Sequence, residues 1–211
     1  MYEPAPFRDD DLAGQHDFVR AHPLGLLISS GPDGVLADPV PFLLAAEGAK
    51  GVLRCHVSRA NDQWRVLQES PSTLVVFQGV DTYITPSWYP SKAATGKVVP
   101  TWNYAIVQVR GQARVIDDTE WLRANVTGLT ETHEAGRQPP WRVSDAPEAF
   151  VAAQLRAIVG IEIPIDDIAA KFKASQNLTA ADRAGVIDGL AAAGDARSLA
   201  MCDLVRERDR G

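Results

Sequence analysis

Residues 83–104 read YITPSWYPSKAATGKVVPTWNY, and Tyr104 opens the run YAIVQVRGQARVI that ends at Ile116. The second run is the longest strand candidate in the chain, with Gly111 expected to form a bulge. The first is a loop of unusual make-up. A segment that only turned a corner would use Gly, Asn or Asp. This one instead carries two of the five Trp and three of the four Tyr, with three Pro and Lys92, Lys97, Ser91, Thr101 and Asn103. Flat rings held by prolines beside cations and hydroxyls suit a planar, phosphorylated ligand, through stacking and charge-assisted hydrogen bonds. The same composition also suits a Pro-rich loop packed on a sheet edge.

Upstream, several short strands are separated by turns. Leu24–Ser29 is an apolar run closed by Gly31-Pro32-Asp33-Gly34. Residues 35–45 hold Pro39 and Pro41, which confine a strand to an edge or a bulge. Residues 51–57 alternate Val52, Arg54 and His56 against Leu53, Cys55 and Val57, the period of a strand. Thr73–Gln78 is rich in β-branched residues. Helices are expected at 11–21 and after Asn61, a candidate N-cap. Strands without regularly interleaved helices favour a barrel over a doubly wound sheet.

After Asp117 the character becomes helical. Leu122, Val126 and Leu129 share a face over 119–133, and Pro147 opens a helix running to about Ala157. Val159–Pro164 reads as one more strand. Thr179 with Asp182 starts a helix that Gly194 ends, and 196–208 forms the last. The whole is expected to be one mainly β, α+β domain over 1–211, with a helical extension from about 165. Lys171-Phe172-Lys173-Ala174-Ser175-Gln176-Asn177 is a basic, polar cluster. It reads either as a solvated loop or as part of a site.

Composition sets bounds. The chain has 211 residues and a net charge of −6. That balance argues against a broad nucleic-acid face without excluding a local patch. Cys55 and Cys202 are distant in sequence and suggest a reduced, cytoplasmic protein. The start of the chain lacks the regions of a secretory signal, and no apolar run approaches the roughly 20 residues of a membrane span. Neither a G-x-x-x-x-G-K-[ST] loop nor a G-x-G-x-x-G turn is present, so any phosphate must be held by side chains such as Arg59, Ser91, Lys92 and Lys97. His16, His22, His56 and His133 have no metal-ligand spacing, and a metal site is not expected. His56, leading into Ser58-Arg59-Ala60-Asn61, is either a core residue or faces a ligand.

Several stretches resemble the PaiB-type proteins, described as FMN-binding negative transcriptional regulators. They are Cys55 to Asn61 with Gln63-Trp64, P-S-W-Y-P-S-K from Pro86 to Lys92, V-V-P-T-W-N-Y from Val98 to Tyr104, Trp141 with Val143 to Pro147, and K-F-K-x-S-Q-N from Lys171 to Asn177. Two departures stand out. No His precedes Pro39-Val40-Pro41, where Ala37-Asp38 stands, and Asn61 is followed by Asp62 rather than Pro. The resemblance implies a split β-barrel with flanking and C-terminal helices, a homodimer with FMN in the dimer groove. It implies that Trp88, Tyr89 and Trp102 wall or stack on the isoalloxazine. Thr101 and Asn103 would bond its polar edge, and Ser58, Arg59, Ser91 and Lys92 its phosphate. His56, Asn61, Lys173, Gln176 and Asn177 would complete the cofactor site. Two functions follow: a negative transcriptional regulator, for which DNA contact finds little support in the sequence, or a flavin-dependent oxidoreductase. Arg197, Arg206, Arg208 and Arg210 offer charge near the C-terminus, but neighbouring acids offset it.

Overall fold

The computed structural model describes residues 1–209; Arg210, one of the C-terminal cations considered above, lies outside them. In chain order the elements are β1 (Arg8–Asp9), α1 (Leu12–Ala21), β2 (Leu24–Gly31), β3 (Gly34–Pro41), β4 (Leu43–Ala45), β5 (Val52–Ser58), α2 (Gln63–Glu69), β6 (Ser72–Ile84), α3 (Pro90–Thr95), β7 (Thr101–Gln112), β8 (Arg114–Ile116), α4 (Thr119–Glu134), α5 (Glu148–Arg156), β9 (Ile158–Lys173), α6 (Ala180–Ala193) and α7 (Ala196–Arg208). The strands hydrogen-bond in the order β3-β2-β6-β7-β9-β5-β4, with β1 and β8 also on β9. The class is α+β, as expected.

The chain folds as two compact units. One comprises residues 12–77 and 108–168. Its strands bury alternate residues: Leu53, Cys55 and Val57 on β5, and Leu27, Val75, Phe77, Ile161 and Ile163 elsewhere. Burying apolar side chains of this size is the main favourable contribution to such a core. Pro39 and Pro41 lie on β3, at the end of the strand order, where a missing N–H leaves no ladder bond unmade. Gly111 lies within β7. The carbonyl of Pro164 occupies the space a Cβ would need, so close backbone approach is what demands glycine there. A small second core joins Leu122 of α4 to Val151 and Leu155 of α5.

The other unit comprises residues 1–11, 78–107 and 169–211. Its core is Ile84, Tyr89, Ala174, Val186, Leu190, Met201, Cys202 and Val205. Both ends of its helical hairpin are capped as the sequence predicts. Thr179 accepts from the Asp182 amide at 3.2 Å, and Gly194 is left-handed at φ +72°. Asp195 then accepts from the amides of Arg197 and Ser198, each at 3.1 Å.

β9 differs most from expectation. It continues past Pro164 to Lys173, so Lys171-Phe172-Lys173 is strand, and the helical extension begins only at Ala180. Pro164 pairs with Val52 at the very end of β5, and the next amide, that of Ile165, donates to Gly51 at 3.1 Å. The proline therefore interrupts little. Cys55 and Cys202 are both free and buried.

Candidate flavin site

The aromatic stretch resolves into the end of β6, a short 3-10 turn at Pro86–Trp88, α3, and the start of β7. Tyr89, Ser91, Thr101, Asn103, Lys173 and Asn177 come together around one pocket of about 320 Å³. Thr101 and Asn103 are held by β7 and Lys173 by the end of β9, so rigid strands position three of these side chains.

Asn103 lines this pocket. It is completely buried, and its Nδ2 donates to Ser175 Oγ at 2.9 Å. Its Oδ1 has no hydrogen-bond partner. A buried acceptor left without a donor costs about 1–3 kcal/mol, and a ligand N–H would recover that loss. Ser175 is itself buried and sits at φ +65°, a region non-glycine residues rarely occupy. The Gln176 side chain holds this turn: its Oε1 accepts from Ala174 N at 2.7 Å and its Nε2 donates to Phe172 O at 2.6 Å. Both ends of that amide are engaged, so Gln176 shapes the site rather than offering a free group to it.

Lys173 Nζ donates to Thr101 Oγ1. Burial lowers its pKa, with neighbouring Lys171 acting in the same direction and Tyr104 opposing. Lys171 is buried, donates to the Tyr2 carbonyl at 3.0 Å and lies over the Tyr104 ring at 5.2 Å. On the far wall, Asp182 Oδ1 accepts from Ser91 N at 3.0 Å. That bond, with further ones from the Ser91 and Thr179 side chains, lowers the Asp182 pKa.

Three other expected positions do not line this pocket. Trp88 does not wall the pocket. Its indole lies against Gly189, its carbonyl against Gly185, and it packs on the helical core. Trp102 is half exposed and meets Tyr83 edge-to-face at 6.2 Å. Lys92 is exposed and donates to Ser87 Oγ at 3.3 Å. Sequence reasoning did not single out Ser175 and Asp182 for the site. Ser175 was visible within S-Q-N, whereas Asp182 read only as a helix cap.

His56, Ser58, Arg59 and Asn61 belong to the other unit. There Arg59 is bidentate to Asp117 at 2.5 and 3.0 Å and donates to the carbonyls of Arg156 and Ile158 at 3.0 and 3.1 Å. It would meet a phosphate only by releasing that carboxylate. Ser58 Oγ accepts from Ala60 N at 3.2 Å. Asn61 Oδ1 accepts from Gln63 N at 2.7 Å, and its Nδ2 donates to Asp38 Oδ2, also at 2.7 Å. Asp38 thus holds Asn61 just ahead of α2, whose N-cap position is Asp62 rather than the expected Asn61. His56 is half-buried; its Nδ1 faces Asn125 Nδ2 at 3.2 Å, and burial lowers its pKa.

Among the described residues no group of His, Cys, Asp and Glu could hold a metal ion, and no helix is long and apolar enough to cross a membrane. The basic residues of the helical hairpin are paired: Arg183 with Asp209 at 2.6 Å, Arg197 with Asp81 at 3.5 Å, Arg206 with Asp203 at 3.4 Å and Arg208 with Asp9 at 2.5 Å.

Comparison with known proteins shows the family and the fold. A family model described as "Putative FMN-binding domain" matches residues 1–167. The chain is 34% identical to an uncharacterised protein of Emericella nidulans, across 99% of this chain and 97% of that one. It is 28% identical to the protease synthase and sporulation protein PAI 2 of Bacillus subtilis, across 99% and 98%. In fold it is similar to the FAD and haem binding protein from Mycobacterium smegmatis, with a TM-score of 0.58 at 17% identity, covering 79% of this chain and 73% of that one. The fold is a flavin split barrel, the cofactor is FMN, and the chain belongs to the FMN-binding family of PaiB type.

Proposed function

We propose that FMN docks with the imide edge of its ring at Asn103, Thr101 and Lys173, in a cytoplasmic homodimer that serves as a negative transcriptional regulator. The observation that carries the binding reading is the unpartnered, fully buried Asn103 Oδ1 in a pocket that also holds an ammonium. A flavin edge presents an N–H between two carbonyls. Asn103 would accept from the N–H, while Lys173 and Thr101 would donate to an adjacent carbonyl. Ser91, Lys97 and Asn177 line the same pocket and would meet the ribityl chain and the phosphate, which carries about two negative charges near neutral pH. Lys92, in the same unit as this pocket, remains a further candidate for the phosphate. When bound, FMN supplies the redox chemistry; the chain supplies orientation and charge.

The regulatory role rests on the PaiB-type resemblance, and the name of the Bacillus subtilis relative, a protease synthase and sporulation protein, supports it. The paired arginines of α6 and α7 argue against that hairpin as a DNA reader. DNA retention that weakens steeply with salt and is lost on flavin removal would support regulation; no retention at low salt would remove direct DNA binding. A second reading, flavin-dependent oxidoreductase, is favoured by the desolvated Lys173 ammonium at the proposed ring edge. Steady oxidation of a reduced nicotinamide by the FMN-loaded protein would support it.

A further inference from the structure

In the unit containing residues 12–77 and 108–168, two hollows of about 340 and 220 Å³ share His56, Val126 and Trp141. The smaller is walled mostly by apolar side chains, Phe150 and Leu155 among them, whereas the larger sets Leu129 beside Thr130, His133 and Glu134. Trp141 is 49% exposed and Phe150 56% exposed. Two large aromatics beside one crevice, with a half-buried imidazole in it, are not what a surface needs for packing alone.

The imidazole has one committed nitrogen. Asn125 is 4% exposed, and its Nδ2 is 3.2 Å from His56 Nδ1. With the Asn125 amide oriented this way its N–H donates there, which assigns Nδ1 as acceptor and the ring proton to Nε2 and leaves Asn125 Oδ1 without a partner. No described residue bonds Nε2. The loop carrying Trp141 is tied down: Trp141 N donates to Glu134 Oε2 at 3.1 Å, and Arg142 N donates to Asp145 Oδ2 at 2.8 Å. The indole is thus presented on a fixed backbone, beside a neutral N–H donor and the apolar wall of the smaller hollow. A carboxylate ligand would find no cation among the side chains shared by the two hollows. A neutral acceptor oxygen on a flat apolar body matches both features.

We infer that this crevice binds a planar aromatic carbonyl compound, its ring against Trp141 and its oxygen accepting from His56 Nε2. The inference rests on the reading that FMN occupies the Asn103 pocket and not this crevice. Two-ring aromatics are of suitable size, and the hydrogen bond is what separates a ketone from its parent hydrocarbon.

The test uses the full chain loaded with FMN, titrated calorimetrically with 2-acetylnaphthalene and with naphthalene. The ketone is expected to bind about tenfold more tightly than naphthalene, the equivalent of one net hydrogen bond of roughly 1.4 kcal/mol. His56→Phe should abolish that difference and leave naphthalene binding unchanged. Trp141→Ala, at an exposed position, should weaken both ligands at least fivefold. Absence of binding up to the solubility limit would overturn the assignment. So would equal affinities in the native protein, or affinities that Trp141→Ala leaves unchanged. Displacement of the ketone by added FMN would also overturn it, because the crevice would then belong to the flavin.

Discussion

Asn103 Nδ2 donates to Ser175 Oγ at 2.9 Å across 72 positions of sequence, inside a completely buried pocket wall. The bond ties the start of β7 to the turn after β9, and it settles which face of the amide is spent. The remaining oxygen points to no protein donor. A strained serine conformation and an orphaned acceptor in contact are both costs that a ligand would offset.

Lys173 gives a pH prediction. Its pKa is lowered from the ordinary 10.5. The ammonium is therefore fully charged only below that lowered value, and charge is lost as pH rises through it. FMN affinity should fall with rising pH earlier than an ordinary lysine would dictate, and Lys173→Met should remove that dependence. Flavin fluorescence titrations at stepped alkaline pH check it; an unchanged pH profile in Lys173→Met would count against Lys173.

Asp182 acts on the acid side. Its carboxyl is held below the ordinary 3.8 by the Ser91 amide. A depressed folded pKa adds stability that is present above 3.8 and fades as pH falls through the folded value. Asp182→Asn should be less stable than the native protein near pH 7, and the gap should narrow in strong acid. Chemical denaturation at both pH values measures this.

Gly189→Ala should destabilise the unit carrying α6 and α7 by roughly 1–3 kcal/mol, the usual cost of overpacking. A Cβ there would overlap the Trp88 indole. Combining it with Trp88→Leu should recover part of the loss. An unchanged unfolding midpoint in Gly189→Ala would mean that Trp88 is not seated on this glycine.

Much of the fold was legible because it rests on local rules. The alternation on β5 and the caps Thr179 and Gly194 are short-range signals. β9 beyond Pro164 was not legible, since a proline ordinarily ends a strand and only the end of its partner made it harmless. Trp88 misled for a different reason. Its neighbours are Gly185 and Gly189, about a hundred residues on, and their four-residue spacing on α6 was the available clue that the helix had left room for a ring. The pocket residues Thr101, Asn103 and Lys173 stood out by chemical type. What no pattern revealed is that Asn103 would keep one oxygen unpartnered, because that depends on Ser175 arriving from the turn after β9, distant in sequence.

The most direct test of the account is FMN titration of the native protein and of Asn103→Leu, followed by flavin fluorescence, with thermal unfolding of both proteins recorded alongside. A lost buried hydrogen bond of about 1–3 kcal/mol corresponds to roughly a ten- to hundredfold change. The account predicts that the native protein binds FMN and that the variant, still folded, binds it at least about tenfold more weakly. A folded Asn103→Leu protein with native FMN affinity would contradict it.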